Sequence, residues 1–316
     1  MPIDSPLPTA LRELRPEAVA LLEQANECAH SVVEPDLLAL LRLRIDSLIG
    51  DGALTQDPFP EGGSDLTARQ GVALLFAEQF IIDVSGIKET DRESLRQYFP
   101  GEEMRELITA LYILECTYRL TLVSRALLCD KSVPADTGDF EIVALISNEQ
   151  PNIRRSLKDY QDAVVRGADL DSITTELVRL RCARTHNCRI CQTLRLSDAR
   201  AAGANDTMTE KVDFYELSDL DENYKIALRI TDAFISRPDT LSAETIVAAR
   251  TNYSPAQLAE LCLDITKWST QKIHVALGTD GADAIPKNEQ GLSFFGFDDL
   301  GQVTGYSPTP AGKDSP

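Results

Sequence analysis

The sequence is poor in aromatic residues, in histidine and in positive charge. Aromatic side chains make up only 6% of it, with a single Trp, whereas Ala, Leu, Arg and Glu are common; that balance disfavours sheet and favours helix. With 31 basic against 50 acidic residues the formal net charge is −19, so a polynucleotide is repelled on average and no nucleic-acid partner is expected. No apolar run reads as a membrane span, and the N-terminus MPIDSPLPTALREL lacks the basic-then-apolar order of a secretory signal. The expectation is a cytoplasmic protein with no membrane partner, in a compartment where structural disulfides are rare.

Seven cysteines are present, an odd number. Cys28, Cys116, Cys129, Cys182 and Cys262 sit singly in apolar helical patterns and read as small buried hydrophobes. Cys188 and Cys191 stand apart, three positions from each other within ELVRLRCARTHNCRICQTLRLSDARAAG, residues 176–203. At that spacing two thiols meet across one helical turn and can form and release a disulfide. Half a zinc site is the competing reading, but His30, His186 and His274 are the only histidines and no second paired-Cys motif exists. A thioredoxin-type arrangement needs a strand before the pair, and no strand pattern precedes it. Two core cysteines three apart remain the plain alternative.

Helical periodicity organises the rest of the chain. Residues 12–30, 35–49, 66–84, 90–98 and 102–128 carry apolar positions at helical spacing, with Pro35, Gly50 and Pro100-Gly101 as punctuation. Residues 51–65 and 130–140 read as loop and linker, and 141–147 is too short to classify. The second half then echoes the first. LLRLR at 40–44 answers to LVRLR at 177–181; Ala73, Leu74, Glu78 and Phe80 to Ala227, Leu228, Asp232 and Phe234; Phe99, Met104, Glu106 and Leu107 to Tyr253, Leu258, Glu260 and Leu261. The expected fold is therefore all-α, two tandem copies of one helical unit about a pseudo-twofold axis. Projected onto the first copy, Glu176 falls on Ala39, Cys188 on Asp51 and Cys191 on Leu54, so the chemistry is present once.

Asn187 reads as the N-cap of a new helix with Cys188 in its first turn, where unpaired backbone N–H groups favour a thiolate. Arg184, Arg189 and Arg195 add positive charge. Glu176 reads either as a general base reaching the thiols through water or as a surface carboxylate paired with Arg179 or Lys158. His186 is either a proton relay or a solvated turn residue. The arginines are either an anion site or a solvated face. Trp268 and His274, on the last helix, are candidates for a second wall of the site. Residues after Gly278 are rich in Gly, Pro and Asp and read as a tail without a core; Phe294, Phe295 and Phe297 either dock on a neighbouring subunit or travel with a mobile tail.

The Glu-x11-Cys-x-x-Cys spacing, followed by DARAAG and a helix containing ALRITDAF, resembles the carboxymuconolactone decarboxylase and alkylhydroperoxidase D superfamily. The resemblance covers roughly residues 35–128 and 170–278. It implies two such repeats, with 1–34 as an N-terminal helical extension, 129–169 as linker and connecting helix, and 279–316 as the tail. It further implies a homo-oligomer without cofactor, whose redox-active disulfide reduces a hydroperoxide or a disulfide and is recharged by a protein electron donor. In that family the second cysteine, here Cys191, attacks the peroxide and the first, here Cys188, resolves it. The dipole argument favours Cys188 instead. Glu176 and His186 would handle protons, with Arg195, Arg184, Trp268 and His274 lining the substrate. The family's peroxidase pattern has histidines where this chain carries Ile190 and Arg195. The alternatives are a lyase or isomerase acting on a small anionic ring compound, and a non-catalytic helical scaffold.

Overall fold

The structure, a computed structural model, describes residues 5–50, 66–129, 152–281, 283 and 285–310. The loop at 51–65 and the segments 130–140 and 141–147 lie outside the described residues. The described chain is mostly helical, 72% helix against 3% strand. It divides into two compact units, residues 1–160 and 161–316.

The first unit opens with α1 (Thr9–Leu14) and α2 (Pro16–Val32). The single helix expected over 12–30 is interrupted because Pro16 has no N–H to continue α1 and instead occupies the first position of α2. Then come α3 (Pro35–Ile49), α4 (Ala68–Asp83), a 3-10 turn at Val84–Gly86, α5 (Glu89–Tyr98) and α6 (Glu102–Leu128). Thr67 and Gln70 form a reciprocal capping box at the start of α4, which satisfies N–H groups that the first turn leaves open. In α6 apolar residues face every direction, and α1, α2 and α3 pack against it. It is long and apolar enough to cross a membrane, contrary to the reading of the sequence, and 89% of its apolar window is buried inside the fold. A buried ion pair within it joins Arg119 Nε to Glu115 at 2.8 Å, and Arg119 Nη2 also donates to the Ile81 carbonyl at 3.3 Å. Cys28, Cys116, Cys182 and Cys262 are buried as expected, and Cys129 is half-buried.

The boundary between the units falls within α7 (Ile153–Val164). The second unit is built on α8 (Ser172–Thr185), whose N-terminus is capped by Asp171 accepting from the Thr174 N–H at 2.9 Å. After α8 come α9 (Arg189–Thr193), β1 (Leu194–Leu196), α10 (Ser197–Ala202), α11 (Asp206–Glu210) and a 3-10 segment at Lys211–Leu217. α12 (Glu222–Ile235), a 3-10 turn at Pro238–Thr240, α13 (Ala243–Asn252), α14 (Pro255–Trp268) and α15 (Gln271–Leu277) follow, then β2 (Ser293–Phe295). Leu177 and Leu180 of α8 meet Leu228 of α12, with Val212, Tyr215 and Leu220 closing that part of the core. Cohesion on this side is apolar burial at roughly 25 cal/mol per Å².

The tail departs from its expectation. β2 pairs in parallel with β1, Leu194 opposite Ser293 and Leu196 opposite Phe295. The chain then folds back so that Phe294 and Ser307 exchange backbone hydrogen bonds of 2.7 and 2.9 Å. Phe294 and Phe295 are buried, and the Phe295 and Phe297 rings meet Trp268 at 6.5 and 6.2 Å between centroids. These phenylalanines pack within their own unit. Composition hid this because the docking uses backbone pairing and three rings, not a periodic apolar face.

Candidate functional site

α8 ends in a way that sets the geometry of the cysteine pair. His186 is its C-cap, Asn187 adopts a left-handed conformation with φ of 52°, the Asn187 N–H donates to the Arg184 carbonyl at 3.0 Å, and the Cys188 N–H reaches back to that of Ala183 at 2.9 Å. This is a Schellman closure, and asparagine suits it because its side chain tolerates the left-handed region. The expectation that Asn187 caps the following helix is corrected: Asn187 ends α8, and Cys188 itself is the N-cap of α9. Cys188 is therefore outside the first turn. α9 is only five residues long, too short for the dipole argument to single out its thiol.

Cys188 and Cys191 form a disulfide, with their Cα atoms 5.3 Å apart. Cys188 is fully buried and Cys191 half-buried, so Cys191 is the more exposed residue of the two. Among the described residues no group of three or more His, Cys, Asp or Glu side chains is arranged to hold a metal ion.

Glu176 is not the surface carboxylate of one expectation, although its pairing with Arg179 is as that expectation had it. Both side chains are 1% exposed, and Arg179 is the largest fully buried side chain among the described residues. Arg179 Nε and Nη2 donate to the two carboxylate oxygens at 2.7 and 2.9 Å. The same guanidinium donates to the Cys191 carbonyl at 2.9 Å and to the Leu194 carbonyl. A buried pair of this kind holds only when the remaining N–H groups find acceptors, and here the acceptors are backbone carbonyls of the segment that carries the disulfide. Glu176 thereby fixes Arg179, and Arg179 fixes the chain around Cys191.

A second carboxylate grips the same segment. Asp280, which the sequence reading missed, accepts from the Arg189 backbone N–H at 3.0 Å and from its guanidinium at 2.8 and 3.1 Å, while its own carbonyl accepts from the Ile190 N–H at 3.0 Å. Burial pushes the Asp280 carboxyl up, but the hydrogen bonds from Arg189 outweigh it and hold it below the ordinary aspartate value. Asp280 lies directly after α15 in the stretch read as tail, which is why its capping role had no local signature. His274 stands beside it at the rim, with Nδ1 3.4 Å from Thr279 Oγ1. Crowding lowers the imidazole pKa, against the pull of Asp280.

On the other side, Trp268 is buried under the ammonium of Lys267, whose Nζ lies 2.9 Å from the indole centroid and 4.9 Å from that of Phe297. Burial drives the Lys267 pKa well down, with Asp264 opposing and Arg179 reinforcing the shift. Arg179 sits 6.0 Å from the Trp268 ring and 5.7 Å from that of Phe295. Trp268 thus belongs to a wall of rings around Arg179. Lys267 has no part in the reading of the sequence.

Arg184 is drawn away from its expected place, pairing with Asp213 at 3.0 Å. Arg195 remains at the site, its Nη1 donating to the Gln192 and Leu194 carbonyls at 2.7 Å each. Burial, then the neighbouring Arg179 charge, lowers its pKa to about 10, with Glu176 opposing. His186 is buried at the turn between α8 and Cys188.

No protein-family profile matches the chain, and no solved structure matches it. Over 230 residues it is 33% identical to Uncharacterized protein Rv2313c of Mycobacterium tuberculosis (strain ATCC 25618 / H37Rv), the match covering 70% of this chain and 76% of that protein. The same identity and coverage hold for Uncharacterized protein MT2376 of Mycobacterium tuberculosis (strain CDC 1551 / Oshkosh). At that identity and coverage, the chain belongs to the family of these two mycobacterial proteins.

Proposed function

We propose that the protein is a thiol oxidoreductase of the alkylhydroperoxidase D type, built from two tandem helical repeats of which the second carries the chemistry. The repeat is supported by matched elements: the turns Val84–Gly86 and Pro238–Thr240 and the ten-residue helices α5 and α13 stand at one common offset. It is supported again by the ion pairs Arg44–Glu78, at 3.7 Å, and Arg181–Asp232, at 2.6 Å, which join corresponding positions.

The observation that carries the redox reading is the asymmetry of the bonded pair: one cysteine fully buried, the other half-buried, on a backbone clamped by the Arg179–Glu176 ion pair. In the reduced protein the Cys191 thiolate attacks the terminal oxygen of a hydroperoxide. The O–O bond breaks, the alkoxide takes a proton and leaves as an alcohol, and Cys191 becomes a sulfenic acid. The Cys188 thiolate then attacks that sulfur and expels hydroxide, which leaves as water once protonated, and the disulfide forms. A dithiol donor, protein or small molecule, returns two electrons and two protons. Glu176 serves as the counter-ion of Arg179 rather than as a free base, since both its oxygens are engaged. His186, beside Cys188 in sequence, handles the proton.

Mass spectrometry of the reduced protein with one equivalent of cumene hydroperoxide tests this. The expected product has lost two hydrogens, mapped to the Cys188–Cys191 peptide. Cys188→Ser should retain one added oxygen on Cys191, and Cys191→Ser should lose turnover. Thiols that stay reduced throughout would sink the proposal and favour a non-catalytic scaffold.

A further inference from the structure

The chain after α15 grips the cysteine segment twice. The first grip falls between the two cysteines, where Asp280 takes the Arg189 N–H with its carboxylate and the Ile190 N–H with its carbonyl, each at 3.0 Å. The second falls just past them, where β2 pairs with β1 from Leu194 onward. Phe295 and Phe297 then pack on Trp268, the single tryptophan of the sequence.

Both grips depend on the shape of α9. Five residues make little more than one helical turn, too few to hold that shape unaided. The Cys188–Cys191 bond ties the turn together, and breaking it returns torsional freedom to the residues between. Competition acts in the same direction. Cys188 is the N-cap of α9, and its sulfur, tied to Cys191, makes no capping hydrogen bond. The Ile190 N–H, a donor that an N-cap side chain ordinarily takes, belongs to Asp280 instead. Once freed, the Cys188 sulfur competes for that N–H, most strongly as a thiolate.

We infer that Asp280, β2 and the phenylalanines packed on Trp268 form a redox-sensitive clasp, docked while Cys188 and Cys191 are bonded and loosened when they are reduced. The inference rests on the redox reading for its trigger. A dithiol donor supplies two electrons and two protons, the S–S bond breaks, two thiols form, and the donor leaves as a disulfide. Coupling of this kind is reciprocal: the docked clasp makes the pair harder to reduce by the same factor by which the bonded pair tightens the clasp.

Trp268 reports the clasp. Reduction with a phosphine, verified by the gain of two hydrogens in mass spectrometry, should raise acrylamide quenching of its fluorescence about twofold or more. Amide exchange at Ile190 should quicken about fivefold, the scale of one hydrogen bond, while Leu177 and Leu228 in the core keep their protection. A fully reduced protein with unchanged quenching would overturn the inference, even if Ile190 exchanged faster, because the effect would then be confined to α9. Loss of protection at Leu177 and Leu228 would also overturn it, by making the bond a staple of the whole unit. The reciprocal arm uses Phe297, which meets Trp268 and Phe295 rather than the cysteine turn. Phe297→Ala should raise the equilibrium constant for reduction by glutathione about threefold, the scale of one aromatic contact, and an unchanged constant would overturn the coupling. A clasp that loosens on reduction, in a protein whose thiols stay reduced under cumene hydroperoxide, would uphold the inference and remove the peroxidase reading instead.

Discussion

Each unit buries a Glu–Arg pair, and the two pairs differ in what the arginine does next. In the first unit Arg119 and Glu115 lie one turn apart on α6, and the guanidinium goes on to the Ile81 carbonyl of a neighbouring helix. In the second, Arg179 and Glu176 lie one turn apart on α8, and the guanidinium goes on to the carbonyls of Cys191 and Leu194. A buried ion pair is therefore not in itself the mark of an active site. What separates the two is the partner: one arginine braces regular helix, the other an irregular segment that carries a disulfide.

Breaking the pairs one at a time gives the largest expected effects. Arg179→Ala and Arg119→Ala each strand a buried carboxylate and should each cost about 3–5 kcal/mol in urea denaturation. Only Arg179→Ala should also move the Cys188–Cys191 reduction potential in a glutathione titration. A comparable move in Arg119→Ala would mean that the carbonyl clamp is not what tunes the disulfide.

A smaller effect concerns Lys267, for which the repeat proposed above supplies Ile113 as the counterpart. Its folded pKa is lowered, so between that value and the unfolded one of about 10.4 the unfolded chain binds more protons. Stability from this group is thus lowest at and below the folded pKa and is regained as pH rises towards the unfolded value. Lys267→Met should raise stability at neutral pH by about 1–2 kcal/mol and flatten its rise between roughly pH 8 and 10. An unchanged slope would show that other groups set it. The smallest effects belong to the capping boxes of α4 and α14: Thr67→Ala and Ser254→Ala should each cost about 1 kcal/mol, measured by thermal unfolding, if the two helix starts are equivalent.

Much of this architecture is legible in the sequence, because periodicity and helix punctuation are local. Pro35 and Gly50 bracket α3, and Pro100-Gly101 precedes α6, as their chemistry requires. The cysteine spacing likewise marks the disulfide. What the sequence conceals are choices made by tertiary structure. Asn187 is a good residue at either end of a helix, and only the backbone hydrogen bonds of Cys188 decide that it closes α8. Asp280 acts across ninety-one positions on Arg189, and no window of sequence holds both. The arginine-rich stretch announces positive charge, but the carboxylates that cancel most of it come from as far away as Asp232 and Asp280. Arg195, which has no carboxylate partner among the described residues, cannot be picked out until the others are paired.

The pairing of β2 with β1 carries a consequence for how the protein is made. At roughly 5–20 residues per second, the about 100 residues between the two strands take a ribosome roughly 5–20 s to add. Through that interval Cys188 and Cys191 have been synthesised and the strand beside them has not. The thiols therefore meet their surroundings before Phe295 and its neighbours close over Trp268 and Arg179. The nascent chain passes through a stage in which its cysteine pair is in place and the strand that pairs with β1 is not, and the synthesis of β2 brings that stage to an end.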